Sequence, residues 1–262
     1  MTHPSLEEQI DALDRGAGLL DLEGWHLVAV AGGDAERWLN DLVTARIDTL
    51  PVGGSVRSLL LGPTGRIRAD LLVHRFAEAF ALLQSPGQPR PADELLEPYV
   101  LSSDVVLEPF PGVLSVMPAP GGRWAVTGEP PEGTIEVGAA ALESWRIRLG
   151  FARFPVDLDE DSLPAEAGLD EAPIVDRDKG CYLGQESVAK VRNLGHPARV
   201  VLAVRATQPV TAGRAVIAGD GRVGMLTSVD GPGGGRSAIA RVRWEAREAD
   251  LTTEDEISLA RR

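Results

Sequence analysis

The residues best suited to chemistry lie in one short window of this chain, residues 178–193. The window contains the only cysteine, Cys181, and both lysines, Lys179 and Lys190, although lysines and arginines total 26. Lysine can lose its proton when it is desolvated, whereas arginine cannot. A thiol flanked by cations is stabilised in its ionised form. The window therefore indicates a reactive thiol or a ligand site more than ordinary packing.

The backbone around Cys181 is predicted to be open, because Gly180 and Gly184 lie on either side of it. A short helix is predicted directly after Gly184, over residues 185–191. A loop that leads into a helix N-terminus presents free N–H groups and a positive dipole end, which suit a carboxylate or a phosphate. We therefore expect Cys181 at an accessible cleft edge.

Composition restricts the classes of partner. The chain has 262 residues and a formal net charge of -13, which disfavours non-specific electrostatic binding to DNA or RNA. A single cysteine cannot form an internal disulfide or a self-contained multi-cysteine metal site. The N-terminus lacks a signal pattern, and no apolar run approaches the length of a membrane span. We expect a cytoplasmic monomer without DNA or membrane contacts.

The pattern of apolar runs and turn residues predicts an α+β fold. Val56–Leu61 and Ile67–Phe76, separated by Gly62–Gly65, predict a hairpin. Helices are predicted over residues 34–42, 92–100 and 139–149, and further strands over 25–30, 80–83, 105–107, 113–116 and 124–126. Prolines and acidic residues indicate an irregular segment over 151–173.

The sequence pattern changes after residue 196. Short strands are predicted over 199–205, 214–218, 222–229, 237–244 and 256–259, with glycine-containing turns between several of them. Regularly spaced short strands of this kind are typical of a small β-barrel. We therefore place a domain boundary near residue 196.

The sequence Lys-Gly-Cys-Tyr-Leu-Gly-Gln-Glu at 179–186 meets every defined position of the K-G-C-[FY]-x-G-Q-E motif of the YgfZ family. The chain resembles that family over most of its length. Further matches lie at Gly33-Asp34 with 39–41, in the hairpin at 60–71, at 145–150 and at 163–169. The YgfZ family is related to the T protein of the glycine cleavage system, an aminomethyltransferase that uses tetrahydrofolate.

The resemblance implies a GcvT-like three-part ring with a small antiparallel β-barrel at its C-terminus. Residues 1–195 would form a discontinuous folate-binding region, with a ferredoxin-like part at roughly 50–125, and residues 196–262 would form the barrel. The implied function is tetrahydrofolate-dependent assembly or repair of iron–sulfur clusters. Folate and iron–sulfur client enzymes would then be the partners.

The resemblance also suggests roles for individual residues. Cys181 would be the reactive thiol or a transient ligand, Lys179 would be a second catalytic residue beside it, and Asp70 would be the catalytic carboxylate. Glu166 would accept hydrogen bonds from the N–H-rich edge of the pterin ring. Tyr182 would either stack on the pterin or pack in the core, and Gln185 and Glu186 would contact folate or only cap the helix. The expected folate-binding residues are Glu166, Tyr182, Gln185, Glu186, Lys190 and Arg192.

Two other functions stay open from the sequence. The first is direct aminomethyl transfer, for which Asp70 is the candidate carboxylate. Relatives of the T-protein type often carry an acidic residue where this chain has Arg148, which favours the accessory role. The second is RNA binding in tRNA modification, with a basic face formed by Arg192, Arg199, Arg241, Arg243 and Arg247, which the net charge disfavours.

Overall fold

The computed structural model describes residues 3–120, 123–231 and 233–262. Two antiparallel-rich sheets fill the first half of the chain, an irregular segment follows, and a closed barrel forms the C-terminal part. Among the described residues, no helix has both the length and the apolar character to cross a bilayer.

The first sheet has five strands in the order β3-β4-β5-β2-β6. The expected hairpin is confirmed, since β3 and β4 pair antiparallel across the Gly62–Gly65 turn. One face of the sheet packs on α2 and α3 around Leu39, Leu60 and Leu82. The bounds are β2 His26–Ala31, β3 Ser55–Leu61, β4 Ile67–Arg75, β5 Ala79–Gln84, β6 Val106–Pro109, α2 Ala35–Asn40 and α3 Ala92–Leu96.

The helix predicted over 92–100 is shorter than expected. The α-helical part ends at Leu96, and a 3-10 turn, Glu97–Tyr99, follows it. Pro98 has no backbone N–H and cannot continue the α-helical hydrogen-bond ladder.

The second sheet has four strands in the order β8-β7-β1-β9, and two helices cover it. Sequence patterns missed α1, β1 and β9, because the two strands are three residues long and show no usable periodicity. Helix α4 ends at Gly150, which has a left-handed φ of 79°. The bounds are α1 Leu6–Asp14, β1 Gly18–Leu20, β7 Ser115–Ala119, β8 Arg123–Thr127, β9 Ile135–Val137 and α4 Ala139–Leu149.

The segment between α4 and the barrel is irregular, as expected, apart from a 3-10 turn at Pro164–Ala167 and the helix α5, Gln185–Leu194. Its apolar side chains Phe154, Leu158 and Val175 pack against Leu59 and Ile67 of the first sheet. The segment thus lies on the face of that sheet opposite α2 and α3.

The C-terminal barrel is confirmed, and it has one strand more than expected. Six antiparallel strands close in the order β10-β13-β12-β11-β14-β15 around Val204, Leu226 and Ala240. The strand that the sequence pattern missed is β14, which is only three residues long. The bounds are β10 Arg199–Val210, β11 Ala215–Ala218, β12 Gly221–Val229, β13 Gly235–Arg243, β14 Leu251–Thr253 and β15 Ser258–Arg261.

Candidate functional site

A cavity of about 550 Å³ opens between β4, α4 and the second sheet, and we call it the α4 cavity. Its walls include Trp25, Trp124, Leu142 and Phe151. The rings of Trp25 and Trp124 lie 6.3 Å apart between centroids, at an angle of 52°. Ligand pockets typically have volumes of roughly 300–1,000 Å³ and mostly apolar walls. This cavity has such a volume and a largely apolar wall, to which seven charged residues also contribute.

Asp70 is the predicted site residue that lines the α4 cavity, and it is paired with Arg57. Arg57 donates from Nε to Oδ1 of Asp70 at 2.9 Å and from Nη2 to Oδ2 at 2.6 Å. Burial opposes the charged guanidinium, but the charge and the hydrogen bonds of Asp70 together outweigh this effect and raise the pKa of Arg57. The carboxylate is therefore held in a bidentate ion pair at the cavity wall.

A second charged group in the cavity was missed by sequence reasoning. Glu143 on α4 accepts hydrogen bonds from Nε and Nη2 of Arg146 at 2.7 and 2.5 Å. Arg153 lies 3.6 Å from the same carboxylate. Glu143 lies just outside the match at 145–150, and Trp124 lies near no motif, so only the scarcity of aromatic residues, at 5% of the chain, could have drawn attention to Trp124.

Lys179 is buried. Its ammonium contacts backbone carbonyl groups, and the residue does not line the α4 cavity. Its Nζ donates to the carbonyl oxygens of Val43 at 2.5 Å and Ala45 at 2.7 Å. Burial lowers the pKa of Lys179 from 10.5 to about 8, and the nearby charge of Asp176 offsets only part of that effect. The Nζ atom of Lys179 also lies over the ring of Tyr182, 5.6 Å from the ring centroid.

Cys181 is exposed, in a loop that we call the Cys181 loop, residues 179–184. Gly180 and Gly184 have left-handed φ angles of 98° and 81°, which an L side chain rarely adopts. The loop leads into α5, as predicted, and Gln185 Nε2 donates to the carbonyl of Gly180 at 2.9 Å. Gln185 therefore braces the loop that carries the thiol.

The remaining motif residues divide between core and surface. Tyr182 is 7% exposed and packs with Leu59 and Leu61, and burial raises the pKa of its hydroxyl. Glu186, Lys190 and Arg192 are exposed on α5. None of these four side chains lines the α4 cavity, and their expected contacts with folate stay predictions.

Glu166 is buried in an ion pair with the barrel. Its Oε2 accepts from Nη2 of Arg241 at 2.8 Å, and its Oε1 accepts from the backbone N–H of Leu163 at 3.3 Å. Arg241 also donates to Asp159 at 2.6 Å. The structure thus places the predicted residues in three places, with Asp70 in the α4 cavity, Glu166 against the barrel and the others around the Cys181 loop.

Arg148 takes part in a similar contact with the barrel. It donates from Nε to Asp230 at 2.9 Å and reaches Glu7 of α1 at 3.2 Å. Those two carboxylates raise its pKa. Arg148 therefore connects α4 to the barrel side and to α1 through these two carboxylates.

Comparison with known proteins gives relatives at low identity. A chloroplastic protein of Arabidopsis thaliana whose name assigns it to the transferases is 22% identical, over 92% of this chain and 68% of its own length. An aminomethyltransferase of Chlorobium luteolum is also 22% identical, over 69% of this chain and 66% of its own length. The chain thus spans about two thirds of the length of these curated relatives.

The fold comparison covers the chain completely. The crystal structure of the glycine cleavage system aminomethyltransferase T from Bartonella henselae superposes with a TM-score of 0.81 at 20% identity, over 100% of this chain and 89% of that one. The expected GcvT-like fold is confirmed, while the YgfZ resemblance stays a prediction. A protein-family model described as the GCVT N-terminal domain matches residues 2–108. Residues 2–108 of this chain thus match the GCVT N-terminal domain model, and the whole chain has a fold like that of aminomethyltransferase T.

Proposed function

We propose that this protein binds tetrahydrofolate in the α4 cavity and acts as an accessory protein in iron–sulfur cluster assembly or repair, with Cys181 as its reactive thiol. The observation that carries the folate part is the cavity of about 550 Å³ with three tryptophans in its wall and the Asp70–Arg57 pair beside them. A cytoplasmic location and a monomeric state belong to the same proposal.

The residues in the cavity fit the chemistry of a reduced folate. Trp25, Trp124 and Phe151 offer apolar faces for the pterin and aminobenzoyl rings. Asp70 and Glu143 offer carboxylate oxygens to the N–H donors of the pterin edge, and Arg153, which is 44% exposed, offers a cation to the glutamate tail. Bound tetrahydrofolate would supply a carrier for one-carbon units.

The Cys181 loop supports the iron–sulfur part of the proposal. Cys181 is exposed while Lys179 and Tyr182 on either side are buried, so the loop directs its one nucleophile to solvent. Client proteins are of macromolecular size and need such exposure. The thiolate form of Cys181 would act as the nucleophile or as a transient ligand.

Aminomethyl transfer is the second candidate function, and the fold likeness to an aminomethyltransferase favours it. Such transfer needs a carboxylate that can handle a proton or stabilise a cation near the folate. Here both oxygens of Asp70 are held by the Arg57 guanidinium; their remaining lone pairs can accept N–H groups of a ligand without disturbing this ion pair, whereas a proton transferred to Asp70 would disrupt it. This arrangement favours folate binding over folate-dependent transfer.

RNA binding receives less support. Of the arginines expected to form a basic face, Arg241 is paired with two carboxylates and Arg247 lies over the ring of Trp244, at 4.2 Å from its centroid. With a net charge of -13, we expect weak binding to tRNA with a small salt dependence. A salt-dependent RNA titration measures this directly.

Calorimetry with tetrahydrofolate under anaerobic conditions tests the folate site. Asp70→Asn loses charge assistance worth about 1.5–3 kcal/mol, so the affinity is expected to fall roughly tenfold or more. Trp25→Leu, which removes an aromatic wall and leaves Asp70 paired, is expected to weaken binding as well. Thermal melts of both variants show whether the protein stays folded.

Glu166→Gln distinguishes the α4 cavity from the site expected at Glu166. With folate in the cavity, this variant keeps wild-type affinity, because Glu166 lies against the barrel. Loss of affinity in Glu166→Gln, with normal affinity in Asp70→Asn and Trp25→Leu, would contradict the cavity and support the Glu166 site.

The iron–sulfur role is tested in cells that lack the protein and carry each variant. Cys181→Ser is expected to leave the thermal melt within about 1 kcal/mol of wild type and to fail to restore the activity of iron–sulfur enzymes. Asn193→Ser, an exposed change nearby on α5, is the matched control and should restore them. Full restoration by Cys181→Ser would show that the thiol is dispensable.

A further inference from the structure

We propose that Lys179 is a positioning residue that ties the Cys181 loop to strand β3, so that a ligand in the α4 cavity stiffens this loop. The inference rests on the proposed folate function. It assigns Lys179 to the backbone of the protein, whereas the sequence motif alone suggested direct contact with a ligand. Three contacts join the Cys181 loop to the first sheet.

The first contact is the pair of hydrogen bonds from Lys179 to residues 43–45. That segment is itself bound to β3. The Thr44 N–H donates to the carbonyl of Leu59 at 3.0 Å, and the Leu59 N–H donates back to Thr44 Oγ1 at 2.9 Å. The Ala45 N–H donates to Ser58 Oγ at 2.8 Å. The Lys179 ammonium is thus connected to β3 through one short, fully hydrogen-bonded segment.

The second contact is made by Gly184 at the other end of the loop. A Cβ on Gly184 would lie 2.6 Å from the carbonyl oxygen of Gly62 and 3.1 Å from Cα of Gly65. The loop backbone therefore packs directly on the turn of the β3–β4 hairpin. The third contact is Tyr182, whose ring packs on Leu59 and Leu61.

The Tyr182 contact lies on the same face of β3 as the cavity, whereas residues 43–45 pair along the edge of that strand. Arg57, Leu59 and Leu61 alternate along the strand, so their side chains share one face. Arg57 lines the α4 cavity, whereas Leu59 and Leu61 pack on Tyr182. Ala152 joins the two regions, because it lines the cavity and also packs in the cluster that contains Tyr182.

A ligand that binds against Arg57 and Asp70 therefore stabilises the strand to which the Cys181 loop is attached. Opening of the loop requires Lys179 and Gly184 to leave β3 and its turn. When β3 is held more firmly, this local opening becomes less frequent. The loop that carries the thiol is then more ordered in the ligand-bound protein.

Hydrogen exchange of the full chain tests the inference, with the peptide that covers residues 179–184 as the readout. We use 5-formyltetrahydrofolate as a stable folate probe and follow its binding by tryptophan fluorescence in the same samples. In wild type, saturating probe is expected to slow exchange of this peptide about fivefold or more, the lower end of typical coupling between sites.

Lys179→Met removes both donors and keeps an unbranched side chain of similar length. We expect its peptide to exchange faster without the probe, and the slowing by the probe to disappear. A merely structural lysine would raise exchange equally with and without the probe, leaving the ratio unchanged. Arg37→Met, an exposed cation replaced on α2, is the matched control and should show the wild-type ratio.

The wild-type measurement decides the matter even if Lys179→Met fails to fold. Binding of the probe with unchanged exchange at 179–184 overturns the inference and leaves the folate proposal intact. Absence of any fluorescence change and of any calorimetric heat overturns both. Retention of the full probe effect in a folded Lys179→Met protein removes Lys179 from the role proposed for it.

Discussion

Lys179 belongs to the sequence motif, but the groups that its ammonium contacts define its role more than its reactivity does. Its ammonium has two carbonyl oxygens as hydrogen-bond acceptors, and they belong to residues 136 and 134 positions earlier in the chain. A buried lysine held by neutral groups keeps its charge at a cost, because desolvation disfavours the charged form. The lowered pKa of about 8 reflects that cost.

The pH dependence of stability should reveal this cost. The folded-state pKa of Lys179 is about 8, below its ordinary value of 10.5. The unfolded chain then binds more protons between these values, and stability rises with pH across this window. We expect the free energy of unfolding of wild type, relative to Lys179→Met, to increase from pH 8 to pH 10.5.

Urea denaturation of both proteins at a series of pH values measures this difference, in which the titration of all other groups largely cancels. A difference that stays constant from pH 7 to pH 10.5 would mean that Lys179 titrates alike in both states. Burial and hydrogen bonding would then leave the pKa of Lys179 unchanged by folding.

At the residue scale, sequence reasoning located the unusual side chains but not their partners. Cys181 and the glycines beside it were identified from composition, and their exposed loop agrees with that reading. The Glu166–Arg241 pair spans 75 positions along the chain, and no local pattern connects the two residues. Glu166 therefore looked like a free carboxylate in the sequence.

The β3–β4 hairpin is the element that links the two candidate sites. Arg57 and Asp70 on its strands line the α4 cavity, and its Gly62–Gly65 turn supports Gly184. The hairpin was predictable because its signals are local, two apolar runs around a glycine-rich turn. Its contact with Gly184 was not, since it depends on how a later segment folds back.

Replacement of Gly184 by alanine should cost more than its backbone conformation alone explains. Gly184 and Gly133 have the same φ of 81°, but a Cβ on Gly133 meets nothing within 4 Å. Gly133→Ala is expected to cost about 1–2 kcal/mol for the left-handed conformation. Gly184→Ala adds a backbone contact at 2.6 Å and is expected to cost clearly more.

Chemical denaturation of the two variants measures the difference in free energy of unfolding. Because both carry the same backbone strain, the excess for Gly184→Ala reports the close approach to the hairpin turn. Equal costs would show that the Cys181 loop can move away from the turn without penalty. The contact between Gly184 and the hairpin turn would then not hold the loop in place.

At the scale of the whole molecule, buried charges join the barrel to the rest of the chain. Asp157, which is fully buried, accepts hydrogen bonds from Arg146 of α4 and from Ser228 of β12. Arg241 of β13 joins Glu166 and Asp159 in the same manner. Buried pairs of this kind are costly to break, because the remaining partner is left charged and desolvated.

Arg241→Met should therefore destabilise the protein strongly. It leaves the carboxylate of Glu166 buried without its partner, at an expected cost of about 3 kcal/mol. Arg236→Met, an exposed change on the same strand, should stay within about 0.5 kcal/mol of wild type. Urea denaturation at neutral pH gives both values, and equal stability of the two variants would contradict a stabilising role for the Arg241 pairs.

Acid should reduce the difference between wild type and Arg241→Met. Burial alone would raise the pKa of Asp159, but hydrogen bonds from Arg241 and Ser162 lower it from 3.8 to about 2. A carboxyl group with a lowered folded-state pKa contributes stability above its unfolded value, and this contribution is lost as pH falls through the folded one. Because Asp159 is half exposed, solvent screening limits its share. We expect the difference in free energy of unfolding to shrink between pH 3.8 and pH 2. A difference that stays constant would mean that Arg241 stabilises the protein by packing alone.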